Sequence, residues 1–269
     1  MNITFINENG PSLLIHNKKK ILAVADLHFG IESGFARQGV HIHSRSSERM
    51  DRLQGLIREN DHDLLLILGD FKHCIPYTSR QEMNEIPSLI KRLRDVTEFA
   101  ILPGNHDAGL KHFLRDEELL PATGSVIDGV GYMHGHTKPG KSLAGHLIVA
   151  GHHHPVISLY DSVGVSLRAN PAYVYTTLDE ECLKKMYKNG FVKTERDGGK
   201  TDFADTRMLL VPSYSELSGG IDIFDIKRSG ISPISRCMNN TDAEVMLPDG
   251  TYVGTMQCLN EGRRNTGQV

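Results

Sequence analysis

The sequence predicts an α/β fold whose first half rests on a parallel sheet and whose second half is built from short strands. Three observations carry that expectation. Between residues 21 and 102 apolar strand-like runs alternate with helical periodicity in the order β-α-β-α-β, which calls for right-handed crossovers and parallel pairing. The segment DLLLIL at 63–68 is apolar nearly throughout, the mark of a strand covered on both faces. After Ser125 the helical spacing gives way to short strands of antiparallel type.

Residues 3–6 and 13–15, split by Asn7-Glu8-Asn9-Gly10-Pro11, read as a hairpin leading into a strand at 21–25. Met50, Leu53, Leu56 and Ile57 recur at helical spacing within 48–60. Ile86, Leu89, Ile90 and Leu93 do so within 86–96, where Pro87 would fall in the first turn. Further strands are expected at 99–102, 130–134, 146–150, 156–159, 163–168, 207–212 and 221–226. Residues 171–206 read as a candidate insertion, with a capping-box pattern in Thr177-Leu178-Asp179-Glu180 and Gly190 as a helix stop. Pro248-Asp249-Gly250 marks the turn of a last hairpin between 245–247 and 251–253. At 269 residues we expect one domain, 1–258, followed by a frayed tail at 259–269.

Composition narrows the setting. No apolar run approaches membrane-spanning length, and the N-terminus lacks a basic region followed by an apolar one. The four cysteines (Cys74, Cys182, Cys237, Cys258) are dispersed, so neither a thiolate zinc site nor a disulfide scaffold is expected, and a cytoplasmic location fits. The formal net charge of −3 neither demands nor excludes nucleic acid, because a local basic cleft can coexist with a neutral total. Lys18-Lys19-Lys20 precedes the strand at 21–25 and so lies at the end away from the chemistry.

Four polar clusters stand where an apolar strand has just ended: Asp26-Leu27-His28, Gly69-Asp70, Gly104-Asn105-His106-Asp107 and Gly151-His152-His153-His154. The carboxyl ends of strands in an open α/β sheet line the ligand crevice, so the four should converge there. Taken singly, each passes for an ordinary polar loop. Together they do not, since GNHD alone should occur by chance in about one chain in a thousand of this length. In extended backbone, residues i and i+2 point the same way, which pairs Asp26 with His28 and His152 with His154. Oxygen and imidazole donors without thiolate suit manganese, iron or zinc better than magnesium, and a lone Asp at a central strand tip is placed to bridge two ions.

This set, with VADLHFGIESGFARQG, LGDFKH and LLVPSYSELSGGIDIF, closely resembles the calcineurin-like metallophosphoesterases. Within them it is similar to the small SbcD-related phosphoesterases, which include the ligase-associated DNA endonucleases. The resemblance covers roughly residues 20–255 and implies a four-layer α-β-β-α metallophosphoesterase sandwich with mixed sheets. It implies that Asp26, His28 and His154 hold one divalent ion, that Asn105, His134 and His152 hold the other, and that Asp70 bridges them. Spacing alone cannot separate His134 from His136 in GYMHGH; the resemblance selects His134. Manganese is the expected ion, with iron and zinc also compatible.

The chemistry so implied is attack of a metal-bridged hydroxide on phosphorus. His106 would face the substrate as acid or charge stabiliser, with Asp107 orienting its ring. His73, where the wider superfamily carries an acid, would either support a ligand or touch substrate. Arg37, His41, His43 and Arg45, with Phe29 and Phe35, lie on a loop leaving the first motif strand and suit a phosphate backbone with stacked bases, unless the phenylalanines pack inward. The leading expectation is a phosphodiesterase or nuclease acting on DNA or RNA. The alternatives are a phosphoesterase for a small nucleotide or monoester, and a non-catalytic protein-binding scaffold, which intact ligands and GNHD disfavour. A DNA-repair partner is compatible with the resemblance. The full SbcD nucleases carry C-terminal segments that this chain lacks, which puts an ATPase partner in doubt.

Overall fold

The computed structural model describes residues 1–158, 169–188 and 203–265. Fifteen strands appear among them. They are β1 (Asn2–Ile6), β2 (Ser12–His16), β3 (Lys20–Val24), β4 (Leu64–Ile67), β5 (Phe99–Ile101), β6 (Ser125–Ile127), β7 (Val130–Met133) and β8 (Leu147–Ala150). Then follow β9 (Pro155–Ile157), β10 (Asn170–Pro171), β11 (Tyr173–Thr177), β12 (Arg207–Leu210), β13 (Ile221–Asp222), β14 (Glu244–Met246) and β15 (Tyr252–Thr255). The α-helices are α1 (Ile31–Arg37), α2 (Ser46–Glu59), α3 (Arg80–Arg94), α4 (Glu180–Lys188), α5 (Ile226–Ser229) and α6 (Met256–Asn265).

The first sheet runs β1-β2-β3-β4-β5, with β3, β4 and β5 parallel. Strand periodicity divides its residues between two cores. Leu22, Val24, Leu65 and Ile67 pack with Met50 and Leu53 of α2 and with Ile86 and Leu89 of α3. Ile21, Ala23, Leu66 and Leu68 face the other way, against Tyr132, Val149, Tyr173 and Leu209 of the second sheet. Burial on both faces is why DLLLIL has no polar alternation. Truncating Leu66, which is fully buried between the sheets, would cost roughly 2–5 kcal/mol.

The second sheet has the order β15-β14-β11-β12-β8-β7-β6. Its outer face carries a third core, where Leu183 of α4, Ile226 of α5 and Met256 of α6 pack with Ile148, Val174 and Met208. The layers are therefore helix, sheet, sheet, helix, as the resemblance implied. One expectation changes: the second half is not antiparallel throughout, because β7, β8 and β12 pair in parallel at its centre. Three more strands thus end at one edge beside those of the first sheet.

Several boundaries also change. Helix α3 starts at Arg80, where Ser79 and Glu82 form a reciprocal capping box, so Pro87 lies in the helix interior and not in its first turn. The loop after His28 opens with helix α1, which the sequence did not predict. Residues 171–177 are no insertion, since β11 pairs with both β12 and β14 inside the second sheet. Helix α4 follows as expected, but Asp179 caps it, accepting from the Cys182 N–H at 2.6 Å. The strand expected at 163–168 and the helix stop at Gly190 lie outside the described residues. The strand expected at 221–226 shortens to β13 and gives way to α5. Residues 259–265, expected to fray, belong to α6.

The cysteine expectation is corrected at one pair. Cys182 on α4 and Cys237 form a disulfide, their Cα atoms 5.5 Å apart across 55 residues of sequence. Cys74 and Cys258 are free. Among the described residues, no helix is long and apolar enough to cross a membrane.

Candidate metal centre

The strand-end clusters meet in one crevice. Asp26 follows β3, Asp70 follows β4, Asn105 follows β5, His134 follows β7, and residues 152–154 follow β8. Eight non-glycine residues have left-handed backbone among the described residues, and five of them are Asp26, His28, Asp70, His152 and His154, with φ of 57°, 47°, 47°, 73° and 44°. Such strain gathers at functional sites at a cost of about 1–3 kcal/mol each. It also corrects the reason for convergence, because these residues have left the extended conformation in which i and i+2 share a face. Hydrogen bonds between clusters hold the turns. Asp26 N–H donates to Gly69 O at 3.1 Å, His28 N–H to Asp70 O at 2.8 Å, His106 N–H to Asp70 Oδ1 at 2.9 Å and His152 N–H to Asp26 Oδ2 at 3.0 Å.

Two groups of ligand-type atoms result. Asp26, His28, Asp70 and His154 each offer one atom within 4.8 Å of the others, and Asp70, His134 and His152 do the same. Asp70 belongs to both. Asn105 Oδ1 lies 3.3 Å from His134 Nε2, on the second group's side. His136 joins neither group. A third group, His28, His73 and His106, overlaps the first through His28. Backbone carbonyls orient three of the rings. His134 Nδ1 donates to Leu68 O at 2.9 Å and His154 Nδ1 to Gly219 O at 2.8 Å, which leaves Nε2 of each as the lone-pair atom; His152 Nε2 donates to Ile231 O at 3.2 Å, which leaves its Nδ1.

The electrostatics ask for cations. Asp26 is fully buried, and its Oδ1 accepts no hydrogen bond. Burial pushes that carboxyl up, but His154, His134 and His28 around it outweigh burial and hold it below the usual carboxylate range. Burial, helped by Asp107 and Asp26, raises Asp70 well above that range. Burial keeps His28 well below its usual range and His134 down to about 3, so both imidazoles stay neutral. His154 is the exception: burial lowers it, yet Asp26 beside it, at 3.4 Å, pulls it above its ordinary value. Two buried carboxylates, one with an oxygen that no donor reaches, beside the neutral imidazoles of His28 and His134, fit a pair of divalent cations.

Around this centre the structure sorts the other predicted residues. His106 sits at the crevice lip with Nε2 3.9 Å from Asp70 Oδ2, and its Nδ1 donates to His73 O. Asp107 does not orient that ring. Its carboxylate accepts the Gly104 and Lys72 N–H groups at 2.8 and 3.1 Å, fixing the loop that carries Asn105 and His106. His73 places Nδ1 3.2 Å from His28 Nδ1 and stacks on His106, so it supports a neighbour while its ring also lines a small pocket with Arg37 and His106. Phe29 is fully buried against Phe71, which removes it as a base-stacking platform. Arg45 pairs with Glu48 and Glu216, while His41 and His43 are exposed.

Sequence reasoning missed Glu82. This buried carboxylate of α3 accepts the N–H groups of His73, Cys74 and Ser79 at 2.9, 2.6 and 2.6 Å, anchoring the segment after Asp70. Its capping-box spacing with Ser79 was the available signal. The orienting carbonyls of Leu68, Gly219 and Ile231 left none, because a backbone oxygen has no side-chain signature.

A two-layered sheet crevice with paired Asp/His clusters defines a metal-dependent phosphoesterase. Residues 19–206 match the family model of the calcineurin-like phosphoesterases, and the chain belongs to that family. Among solved structures it is similar to the nuclease MPE of Pseudomonas putida, at 20% identity over 82% of this chain and 90% of that one, with a TM-score of 0.47. It is also similar to the phosphoesterase YfcE of E. coli, at 15% identity over 57% and 86% of the two chains, with a TM-score of 0.34. A predicted phosphoesterase of Streptococcus pneumoniae matches at 12% identity over 88% and 94%, with a TM-score of 0.30.

Proposed function

We propose that the chain is a dinuclear phosphodiesterase acting on DNA or RNA. In this reading Asp26, His28 and His154 would hold one ion, Asn105, His134 and His152 the other, and Asp70 would serve both, with manganese the ion favoured by the donor set. The ions supply Lewis-acid polarisation of the phosphoryl oxygens and activation of water. One observation favours a diester: two separate pockets adjoin the centre. His154 lines a groove of about 980 Å³, and His106 and His73 line a pocket of about 200 Å³. A diester has two substituents to place, a monoester only one.

The chain's own groups complete the work. Asp70 Oδ1, accepting the His106 N–H, ties the bridging carboxylate to the loop that carries the acid. With Nδ1 held by His73 O, His106 directs Nε2 at the crevice, where its imidazolium form donates the Nε2 proton to the departing oxygen and is left as the neutral ring. His73 holds His28 on one side and His106 on the other, which keeps ligand and acid in register. Arg37, beside the smaller pocket, offers a cation to the leaving portion.

The reading is tested with manganese-reconstituted protein assayed side by side on bis-p-nitrophenyl phosphate, p-nitrophenyl phosphate and single-stranded DNA. Faster turnover of the diester and cleavage of the DNA are expected. Turnover confined to the monoester would replace the reading with a phosphomonoesterase, and inactivity toward all three with fully loaded metal would favour a scaffold.

A further inference from the structure

The segment PSYSELSGG at 212–220 enters the chemistry described so far only through the Gly219 carbonyl that orients His154, yet more of it packs against the centre. The Tyr214 and Ser215 N–H groups donate to the carbonyls of Ala25 and Asp26 at 2.8 and 3.3 Å, and the Gly219 carbonyl holds His154. Lined also by Arg52 and by residues 154–156 and 169–171, the larger groove runs between this segment and the turns at 7–11 and 247–249. All three lie at the end of the sheets where the strand-end clusters gather, so the groove continues the metal crevice past His154. A volume of about 980 Å³ lies at the top of the range that holds a drug-sized ligand, roughly 300–1,000 Å³, and exceeds what one small ester needs. Pro11, Pro155, Pro171, Pro212 and Pro248 give it rigid apolar walls.

Two carboxylates, Glu216 and Asp249, and one arginine, Arg52, line this groove, and three arginines gather on Glu216. Glu216 receives Arg52 at 2.6 Å, Arg45 at 3.3 Å and Arg49 at 3.5 Å. Arg49 is almost completely buried, and none of its three guanidinium nitrogens makes a hydrogen bond; its ion pairs with Glu32 and Glu216 are 3.6 and 3.5 Å long. Arg49 does not line the groove, so it acts on Glu216 from behind and leaves Arg52 as the arginine of the lining that a ligand can reach. Arg52 and Glu216 both line the groove, and Arg52 also lies over the Tyr214 ring at 5.4 Å.

We propose that this groove holds the strand on one side of the scissile phosphate, and that Arg52, released from Glu216, binds a neighbouring phosphodiester. The substrate is then an oligonucleotide and not a mononucleotide ester; this deepens the phosphodiesterase reading and rests on it. Glu216 is the internal anion that the substrate displaces. Until then it neutralises the arginines and keeps the groove from binding free anions.

The test measures binding and cleavage separately. Binding of a fluorescein-labelled phosphorothioate tetrathymidylate to manganese-loaded protein is followed by fluorescence anisotropy across a salt series, for wild type, Arg52→Ala and Glu216→Gln. Arg52→Ala should weaken binding about tenfold, the worth of one charge-assisted contact, and should lower the salt slope by about 0.7. Glu216→Gln should act in the opposite direction and tighten binding. Circular dichroism melting checks each variant, and if Glu216→Gln does not fold, the affinity and salt slope of Arg52→Ala decide alone. Wild-type affinity and slope in Arg52→Ala would overturn the groove assignment, even if the unmodified tetramer is cleaved by the native enzyme. Arg52-dependent binding without cleavage of the unmodified tetramer would leave the groove standing and remove the phosphodiesterase reading instead.

Discussion

Gly104 and Asp70 meet at the bottom of the crevice so closely that a Cβ on Gly104 would lie 2.0 Å from Asp70 Oδ1 and 2.5 Å from the Asp70 backbone nitrogen. The glycine of GNHD is therefore a seat for the shared carboxylate of another strand end. Gly69 does the same for a third, because its Cβ would fall 2.3 Å from His134 Nδ1, at a φ of +82° that already favours glycine.

Gly104→Ala must displace the Asp70 backbone as well as its carboxylate, so it should lower Tm and push Asp70 off both ion positions. Metal affinity and kcat/KM should each fall about 10–100-fold, the usual cost of disturbing the support of a ligand. Isothermal titration with manganese reads the affinity. Two ions bound as tightly as in wild type would show that Asp70 does not bridge.

The two histidines of GYMHGH separate by position. His134 is fully buried with Nε2 3.6 Å from Asp70 Oδ1, whereas His136 belongs to neither ligand group. His134→Ala should retain one manganese per chain and His136→Ala two, by elemental analysis. Because the ions bind only the folded chain, saturating manganese should also raise Tm in wild type, by less in His134→Ala.

His106→Ala should leave metal content and melting unchanged while turnover falls about 10² to 10⁴-fold. An alkoxide leaving group needs a proton more than a nitrophenolate does, so the loss on an oligonucleotide should exceed that on bis-p-nitrophenyl phosphate. Comparing kcat/KM for both substrates in both proteins gives the difference. Equal losses would mean that His106 stabilises charge without donating a proton, and no loss would remove its catalytic role.

Arg94 of α3 clamps the segment at 113–118, donating from Nε and Nη2 to the two oxygens of Glu118 at 2.7 Å each and from Nη2 to the Phe113 carbonyl at 3.1 Å. The hydrogen bond to Arg94 lowers the Glu118 carboxyl below its ordinary 4.5, although burial opposes it. A carboxyl depressed in the folded state stabilises above its unfolded value and loses that contribution as pH falls through the folded one. Arg94→Ala should therefore cost about 1 kcal/mol at neutral pH. The gap from wild type should close as pH is lowered below 4.5. Urea melts at several pH values read this directly, and a gap that is constant with pH would show that the pair contributes by packing alone.

Much of this molecule was legible in the chain itself. The apolar run at 63–68 and the helical spacing of Met50, Leu53 and Leu56 were enough to predict the parallel sheet, because burial on two faces leaves no room for polar alternation. The four strand-end clusters identified the crevice for the same reason: parallel strands must deliver their ends to one edge. The sequence was silent where contacts join distant segments. Nothing in GYMHGH distinguishes His134 from His136; the distinction arises when β7 brings His134 beside Asp70 and onto the Leu68 carbonyl. Asp107 reads as the partner of His106, its neighbour in sequence, yet it caps the Gly104 and Lys72 amides. Cys182 and Cys237 carry no spacing signal and meet only when α4 packs on the outer face of the second sheet. Local patterning thus gives most of the elements around the crevice and the edge they share, though not α1 or the helical turn α5. Which side chain meets which across that edge depends on the packing of two sheets, a long-range property that no local window of sequence contains.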